Sequence, residues 1–343
     1  MGEYLRDSWY CVGWASDLEE KPIGITICET YIVAFRDADG HVVAMDGRCP
    51  HRFAPLDRGK VGEGTIACPY HGLVFDGAGK CVLNPHGPGA IPPNAVLKTY
   101  PALERLGAIW VWMGDHERAE ADLLPELEWW GDDDYAVSKG HLRLDVNYQL
   151  VMDNLLDLTH GPYLHAGTLS GDPESTVHMG MEHTWKTENG SILHSNYYVE
   201  KMPKPAPQME ALVGDVPGMM SANMRWRPAS ILDLHVRYTP EGSNEKEGAH
   251  VPSVHYLAPE SDTVTHYFYA LGRNKMIEDH DMTKMQDDLV RKAFTEEDEP
   301  MMQACQALMG TTDLMSLQPA ILQTDAPGIQ ARRLLKKAMA EAV

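Results

Sequence analysis

Two pairs of metal-binding side chains, each set in a short loop, constrain this chain of 343 residues more than any other feature. Cys49 and His51 have the spacing C-x-H, and after sixteen intervening residues Cys68 and His71 have the spacing C-x2-H. Four nitrogen and sulfur ligands in two close pairs suit either a tetrahedral Zn²⁺ ion or a [2Fe–2S] cluster with two histidines on one iron. Whichever it holds, the fold must bring both loops to one point.

The residues around the pairs favour the cluster over zinc. Pro50 and Pro69 follow the two cysteines, and Gly72 follows the second histidine. Tight loops of this kind can bring backbone N–H groups close to cluster sulfurs, which raises the reduction potential. A classical zinc finger would instead carry its two histidines about four residues apart on a helix. Spacing alone leaves a zinc-binding structural or interaction protein as an alternative.

The segments around these loops predict an all-β domain. "TYIVAF" (30–35), "HVVAMDG" (41–47) and "AIWVWMGD" (108–115) are short runs of β-branched, apolar or aromatic residues. "DADG" and "GAGK" are turn signals between candidate strands. The stretch "NPHGPGAIPPNA" (84–95) predicts a rigid, irregular loop. We place the boundary of this first domain at residues 1–115.

The rest of the chain, residues 116–343, predicts a second domain of the α+β class. After an acidic linker over 116–140, the stretch 147–158 has apolar residues spaced for one helix face. Four strand-like runs follow, from "SILHSNYYVE" to "TVTHYFYALG". Residues 277–309 predict one long helix, and "ARRLLKKAMAEAV" predicts a closing helix.

Composition narrows the classes of partner. A net charge of −21 argues against nucleic acid, because phosphate binding needs a concentrated basic surface. No stretch approaches the roughly 18 apolar residues that span a bilayer, so no membrane association is expected. The N-terminus lacks the basic and apolar regions of a signal peptide, and six cysteines in such a chain suit metal binding or core packing better than disulfides. We therefore expect a cytoplasmic protein.

A second constellation lies in "DNLLDLTHGPYLH". Asp157 and His160 are three residues apart, so we expect them to share a helix face. Gly161 and Pro162 then break the helix, which frees His165 from helical spacing. The two histidines can supply the imidazoles of a 2-His-1-carboxylate iron site. The alternative is that they cap the helix and that Asp157 is a solvated charge.

The two motifs together resemble those of Rieske non-haem iron oxygenases. "CPHRFAPL…CPYHG" resembles the Rieske motif, and D-x2-H-x4-H resembles the oxygenase α subunit. "VWMGD", "MDNLLDLTH", "HYFYALGRN" and "DAPGIQARR" look like the branch of vanillate O-demethylase oxygenase subunits and dicamba monooxygenase. The implied fold is an N-terminal all-β Rieske [2Fe–2S] domain followed by a helix-grip (START-like) catalytic domain with a central antiparallel sheet.

By this resemblance, Cys49 and Cys68 bind one iron of the cluster, and His51 and His71 bind the other. An electron-transfer Rieske protein without a second iron remains an alternative that the later motif disfavours.

The resemblance also implies a mononuclear iron held by His160, His165 and a carboxylate on the late helix. Asp298, in "FTEEDEP", is our choice for that carboxylate. The alternatives are the neighbouring acidic residues Glu296, Glu297 and Glu299.

Members of the family are head-to-tail homotrimers, and the resemblance gives Asp157 a catalytic role between subunits. Its carboxylate would bridge His71 of one subunit to His160 of the next by hydrogen bonds. Asn154, one helical turn earlier, would contact the substrate or iron-bound water.

The implied reaction is O2-dependent O-demethylation of a vanillate-like methoxylated aromatic compound. A reductase would supply electrons from NAD(P)H, directly or through a ferredoxin. The resemblance assigns substrate contacts to His255 and Asp233, and Leu289 replaces a pocket tryptophan. Arg225 and Arg227 could offset the charge of Asp233. Hydroxylation or N-demethylation of another ring compound is the alternative.

Overall fold

The computed structural model describes residues 4–171, 180–229 and 231–342. Two compact units make up the chain. The first contains the chain up to Glu126 and the short segment Ala258–Ser261, and the second contains Leu127–Leu257 and Asp262–Glu341. Our boundary after residue 115 stays a prediction. In the described part of the chain, every helix is too short or too polar to cross a bilayer.

In its described residues, the first unit contains three small sheets and one short α-helix, α1 (Ala15–Glu20). Its strands are β1 (Trp9–Trp14), β2 (Ile23–Ile27), β3 (Thr30–Arg36), β4 (Val42–Asp46), β5 (Lys60–Gly62), β6 (Thr65–Ala67), β7 (Val74–Phe75), β8 (Cys81–Leu83), β9 (Thr99–Tyr100), β10 (Ala102–Arg105) and β11 (Ala108–Trp112). The sheet orders are β1-β11-β10, β2-β3-β4-β9 and β5-β6-β7-β8. Strand pairs are antiparallel throughout the described ladders.

Apolar side chains from two of these sheets form the core beneath the cysteine loops. Val33, Phe35 and Met45 pack with Ile66 and Phe75, and all five are completely buried. The thiols of both loop cysteines belong to the same cluster of side chains. The core therefore fixes the base of each loop and leaves its tip at the surface.

The second unit contains a seven-stranded antiparallel sheet with the order β12-β18-β17-β16-β15-β14-β13. Its strands are β12 (Ala136–Leu144), β13 (Glu182–Glu188), β14 (Ile192–Met202), β15 (Gly218–Arg227), β16 (Ile231–Pro240), β17 (Ala249–Ser261) and β18 (Val264–Arg273). Its described helices are α2 (Tyr148–Leu156), α3 (Gly161–Leu164), α4 (Pro207–Val213), α5 (His280–Lys292), α6 (Glu299–Met309) and α7 (Ala326–Glu341). The predicted α+β class, with an all-β first part and a large antiparallel sheet in the second, is confirmed.

The two faces of this large sheet differ in chemistry. Directly paired residues share a face and successive residues alternate between faces. One face, which we call the helix face, packs against the helices: Tyr197 donates to the backbone carbonyl of Leu156 in α2 (3.2 Å). The opposite face, which we call the polar face, carries Arg225, Asp233 and His235.

Two predicted helices differ from the structure at their ends or centre. The helix expected over 147–158 spans Tyr148–Leu156, because Asn147 caps its start and Asp157 leaves the helical conformation (φ −111°, ψ 95°). The single helix expected over 277–309 is interrupted by one π-helical segment, Ala293–Asp298, between α5 and α6. Both deviations fall at residues that build the site below.

Candidate metal centres

The two Cys/His loops have the same backbone hydrogen-bond pattern. Cys49 N–H donates to the Ala54 carbonyl (2.9 Å), and Cys68 N–H donates to the Leu73 carbonyl (2.8 Å). Four residues after each cysteine, the backbone turns back to donate to the cysteine carbonyl, from Phe53 in one loop and Gly72 in the other. That position is left-handed in both loops, which is why one of them uses glycine.

These loops bring two thiols and two imidazoles together. Cys49 and Cys68 are buried, and burial together with the neighbouring Cys68 thiol raises the pKa of Cys49 to about 11. The rings of His51 and His71 lie 4.4 Å apart between centroids, with His51 at the surface. Two sulfurs on the inside and two ring nitrogens on the outside fit a cluster with one sulfur-bound and one nitrogen-bound iron.

Two other residues of the first unit are of types that bind metals, but their contacts are structural. His86 lies with Nε2 2.8 Å from the backbone carbonyl of His71, so it is a hydrogen-bonding loop residue. Cys81 is buried on β8. Neither joins the four side chains of the two loops.

A second centre is formed by three side chains from separate elements of the second unit. His160 ends a 3₁₀ turn (Leu158–His160), His165 follows α3, and Asp298 ends the π-helical segment. The Nε2 atoms of the two histidines are 3.1 Å apart. Asp298 Oδ1 lies 3.3 Å from Nε2 of His165 and 3.6 Å from Nε2 of His160.

This triangle of atoms fits a divalent metal ion. Two metal–ligand bonds of about 2.1 Å at a right angle put their donor atoms about 3 Å apart. Two imidazole lone pairs and a carboxylate oxygen repel each other at that distance unless a proton or a metal cation lies among them, and a metal ion satisfies all three at once. One carboxylate with two imidazoles on one side of an ion is the set that non-haem iron oxygenases use.

The π-helical segment decides which acidic residue of "EEDE" faces the histidines. Glu296 is exposed, and Glu299 accepts from the backbone N–H of Asp145 (2.9 Å). Asp298 is almost completely buried and points at both histidines. Extra residues in a helical turn rotate the following side chains, and such turns recur at functional sites.

Glu297 has a role that the sequence reasoning missed. Its Oε2 lies 2.7 Å from Nδ1 of His165 and 2.9 Å from the hydroxyl of Thr168. Burial disfavours the charged imidazolium, but the carboxylates of Asp298 and Glu297 outweigh it and raise the pKa of His165. A carboxylate on the second ring nitrogen fixes the tautomer and orientation of a metal-binding histidine. The adjacency of two acids in the sequence was its only signal.

Asn154 contacts the proposed carboxylate ligand itself. Its side-chain N–H donates to Asp298 Oδ1 (2.9 Å). This hydrogen bond gives Asn154 a part in holding Asp298, and its expected contact with substrate or iron-bound water stays a prediction.

Asp157 requires a correction to its expected geometry. It does not share a helix face with His160, because α2 ends one residue earlier and Asp157 caps the following 3₁₀ turn. Its Oδ1 accepts from the backbone N–H of Thr159 (2.9 Å) and from the Thr159 hydroxyl (2.5 Å). The hydrogen bond to His160 Nδ1 is made by the backbone carbonyl of Asp157 (2.5 Å), not by its carboxylate.

Arg332, in the "DAPGIQARR" motif, fixes the helix that precedes these residues. Its guanidinium donates to both carboxylate oxygens of Asp153 on α2 (2.6–3.1 Å) and to Gln149 (2.8 Å). A bidentate arginine–carboxylate pair adds orientation as well as energy. The closing helix α7 therefore holds α2 in register.

The expected substrate contacts separate onto the two faces of the sheet. His255 pairs with Leu232, so it lies on the helix face, where its ring contacts the Tyr267 hydroxyl (2.6 Å) and the Ser253 hydroxyl (3.0 Å). Asp233 is one residue further along β16, so its side chain points to the polar face, where Arg227 binds it (2.6 Å). The pairing of Asp233 with His255 in one pocket is therefore corrected. Leu289 lies half-buried on α5.

Family comparisons agree with this two-part organisation. Residues 8–101 match the Rieske [2Fe-2S] domain, and residues 144–341 match the C-terminal domain of vanillate O-demethylase oxygenase. The chain is 32% identical to the oxygenase component of dicamba O-demethylase from Stenotrophomonas maltophilia, over 97% of both chains. It is 34% identical to the oxygenase component of chloroacetanilide N-alkylformylase from Rhizorhabdus wittichii, over 97% of this chain and 95% of the relative.

Solved structures give the same picture. The crystal structure of dicamba monooxygenase bound to 3,6-dichlorosalicylic acid superposes with a TM-score of 0.90, at 31% identity over 99% of both chains. Another crystal structure of that enzyme, with non-haem iron and dicamba, superposes with a TM-score of 0.76.

Proposed function

The chain belongs to the vanillate O-demethylase oxygenase family of Rieske oxygenases, and from that membership we propose that it is the terminal component of an aryl ether demethylase. One methyl ether, one O2, two electrons and two protons would give a phenol, formaldehyde and water. The observation that carries this proposal is the convergence of His160, His165 and Asp298 in a chain that also has a Rieske domain.

We assign the cofactors to the residues that fit them. Cys49, His51, Cys68 and His71 would hold the [2Fe–2S] cluster, and His160, His165 and Asp298 would hold the mononuclear iron. When bound, the cluster supplies electrons and the mononuclear iron activates O2 for hydroxylation of the methyl carbon.

The protein's own part is positioning. Glu297 and the backbone carbonyl of Asp157 set the two imidazoles, and Asn154 sets the carboxylate of Asp298. Because all three ligands approach from one side, the opposite side is left to O2 and the methyl group. His165 and Asp298 are buried, and a fixed position of the methyl group would favour the reactive geometry.

We further propose that the chain acts as a head-to-tail homotrimer in which His71 of one subunit meets Asp157 of the next. The Asp157 carboxylate binds Thr159 through Oδ1, and its backbone carbonyl binds His160. Oδ2 is then the oxygen for the partner's imidazole. Electrons would come from NAD(P)H through a separate reductase, with or without a ferredoxin. Because NAD(P)H is an intracellular reductant, we propose that the protein acts in the cytoplasm.

The test is a panel of methoxyarenes with a surrogate reductase, scored for formaldehyde and for the matching phenol. N-methylanilines and methylarenes form a second arm, since one relative is an N-alkylformylase. Formaldehyde from a methoxyarene in equal amount to the phenol supports the proposal. Product from the second arm alone would replace O-demethylation with N-demethylation or hydroxylation.

Metal content tests the two-centre assignment separately. We expect about three irons per chain, two in the cluster and one mononuclear. His160→Ala should keep the visible absorption of the cluster and lose turnover. Loss of the cluster absorption in this variant, or zinc in place of iron, would contradict the assignment.

A further inference from the structure

The carboxylate of Asp157 is held by the residue two positions later in the chain. Its Oδ1 accepts from the backbone N–H of Thr159 (2.9 Å), which closes the kind of turn that aspartate favours. The same oxygen also accepts from the hydroxyl of Thr159 (2.5 Å). Because the backbone N–H alone is enough to close the turn, the bond from the hydroxyl adds something that the turn does not need.

Two donors on one oxygen fix the direction in which the other oxygen points. With a single donor, the carboxylate can still turn about its Cβ–Cγ bond, since this torsion is broad for aspartate. The hydroxyl of Thr159 restricts that rotation and leaves Oδ2 without a partner among the described residues. Asp157 is partly exposed, which leaves room for a donor from outside the chain.

No other described side chain holds this carboxylate. The charge of Asp157 acts on His183 and Tyr197, but burial lowers the pKa of His183 and raises the pKa of Tyr197 to about 12, so both are neutral at physiological pH. The ring of His183 is hydrogen-bonded to Ser195 (3.0 Å) and not to Asp157. The orientation of the carboxylate therefore depends on Thr159.

His160 is joined to Asp157 through the backbone and not through the carboxylate. Its Nδ1 lies 2.5 Å from the backbone carbonyl oxygen of Asp157. An electron that enters at Oδ2 would therefore have a continuous route along Asp157, from the carboxylate through Cβ and Cα to the carbonyl and the imidazole. The step that needs exact positioning is the entry, where the carboxylate must meet an imidazole of the neighbouring subunit.

We propose that the hydroxyl of Thr159 is a positioning group for electron transfer between subunits, because it holds Oδ2 of Asp157 towards the incoming imidazole. The role of the hydroxyl rests on the proposed function, in which His71 of one subunit meets Asp157 of the next. Each transfer moves one electron from the reduced cluster to the ferric mononuclear iron, and no bond to Thr159 or Asp157 is made or broken.

Flash reduction of the trimeric holoenzyme measures this transfer without substrate or O2. The enzyme is prepared with an oxidised cluster and a ferric mononuclear iron. Photoexcited deazariboflavin, with tricine as the sacrificial donor, then gives one electron to the cluster. The visible absorption that is lost on reduction of the cluster returns as the electron passes to the ferric iron, and the rate of this return is the rate of transfer.

Thr159→Val keeps the shape of the side chain and removes the hydroxyl. A hydrogen bond to a charged acceptor favours its geometry by a factor of roughly 10 or more, so the rate of transfer should fall about 10-fold. Thr159→Ser keeps the hydroxyl and should transfer within about twofold of the wild type. A wild-type rate in Thr159→Val, or equally slow transfer in both variants, would overturn the inference.

Iron content, cluster absorption and trimer size distinguish a positioning role from a structural one. Thr159→Val and Thr159→Ala should keep all three, because the backbone N–H of residue 159 still closes the turn. Loss of the mononuclear iron or of the trimer in both variants would contradict the inference, since the hydroxyl would then serve folding. Thr184→Val, at an exposed position of β13, is the matched control and should keep the wild-type rate.

Asp157→Asn separates this inference from the proposed function. Slow transfer in Asp157→Asn with wild-type transfer in Thr159→Val would uphold the route through Asp157 and refute the role of Thr159. Wild-type transfer in Asp157→Asn would refute the route between subunits itself. Slow transfer in both variants, with no formaldehyde from any methoxyarene, would uphold the inference and refute O-demethylation.

Discussion

Each of the two histidines that face Asp298 has its second ring nitrogen fixed by a different kind of acceptor. His160 uses a backbone carbonyl, and His165 uses the carboxylate of Glu297. A carboxylate partner makes an imidazole a stronger ligand than a carbonyl partner does. We therefore expect the affinity for the metal to depend on Glu297, although Glu297 is not one of the proposed ligands.

Glu297→Gln tests that dependence. The variant removes the negative charge and keeps the size of the side chain, so the affinity for iron should fall by about 10–100-fold. The measurement is iron per chain after dialysis against a weak chelator, with the cluster absorption as an internal reference. Glu296→Gln is the matched control, because Glu296 is exposed. Equal iron retention by both variants would show that Glu297 has no such role.

The burial of His255 also predicts how the stability of the protein depends on pH. Its pKa is about 3 in the folded protein, below the usual 6.5, because burial disfavours the charged ring. Between pH 6.5 and pH 3, the His255 imidazole therefore binds a proton in the unfolded chain but not in the folded protein. The stabilising neutral form is fully effective above pH 6.5, and stability is lost as the pH falls towards 3, by about 1.4 kcal/mol per pH unit.

The measurement is the free energy of unfolding in urea at pH 7, 6 and 5 for the wild type and His255→Gln. In His255→Gln, the free energy of unfolding should fall less steeply with decreasing pH below 6.5, because the variant lacks the contribution of one proton. His280→Gln, at an exposed position, should retain the wild-type slope. Parallel profiles for all three proteins would mean that His255 is not buried as described.

The π-helical segment is the element on which the second centre depends. It spans Ala293–Asp298 between two regular helices, and Asp298 is its last residue. A regular α-helix would place the same residue about 100° away around the axis, since each residue turns by that angle. The site therefore needs the wider turn, not only the acidic residue.

Deletion of Thr295 should convert this segment to a regular helix. Thr295 is exposed and its hydroxyl donates to the Arg291 carbonyl within the same helix, so few tertiary contacts are lost. We expect the helix content and the cluster absorption to persist while the mononuclear iron is lost. Thr295→Ala, which keeps the length, should retain the iron. Full iron retention in the deletion variant would show that the turn is not required.

The same segment shows why the sequence predicts some elements better than others. The all-β first unit and the antiparallel sheet follow from runs of β-branched and aromatic residues with turn signals between them. A π-helical turn has no comparable signal, because its residues fit an α-helix equally well. The end of α2 was missed for a related reason: Asp157 caps the next turn, and helix ends are uncertain by a residue or two.

The two faces of the large sheet show another limit of prediction from the sequence. The two Cys/His pairs and the two histidines of the second centre could be selected from their spacing, whereas Asp298 was chosen by resemblance among four acidic residues, and all of these ligands stay predictions. Asp233 and His255 were both expected to contact the substrate, but whether residues on neighbouring strands share a face depends on the register of the strands. A shift of the register by one residue moves every side chain of the strand to the opposite face of the sheet. The local sequence pattern does not fix that register.

At the scale of the whole molecule, the chain carries one candidate metal centre in each of its two compact units. A cluster and an O2-activating iron are useful to each other only if electrons pass between them. In a head-to-tail ring, each subunit can supply the cluster for its neighbour's iron, and the ring closes without a free end. In the proposed trimer, turnover would therefore require the assembly and not the single chain.

Mixed assemblies test this directly. Cys68→Ser should remove the cluster and His160→Ala should remove the mononuclear iron, so neither variant alone should turn over substrate. In randomly mixed trimers, an intact cluster meets an intact neighbouring iron at roughly a quarter of the interfaces, so about a quarter of the wild-type activity should return. The measurement is formaldehyde release after the two chains are co-expressed and the trimers isolated by size. Mixing the same proteins without co-assembly is the control and should stay inactive. Inactive mixed trimers would mean that electrons stay within one chain, because each variant chain lacks one of the two centres.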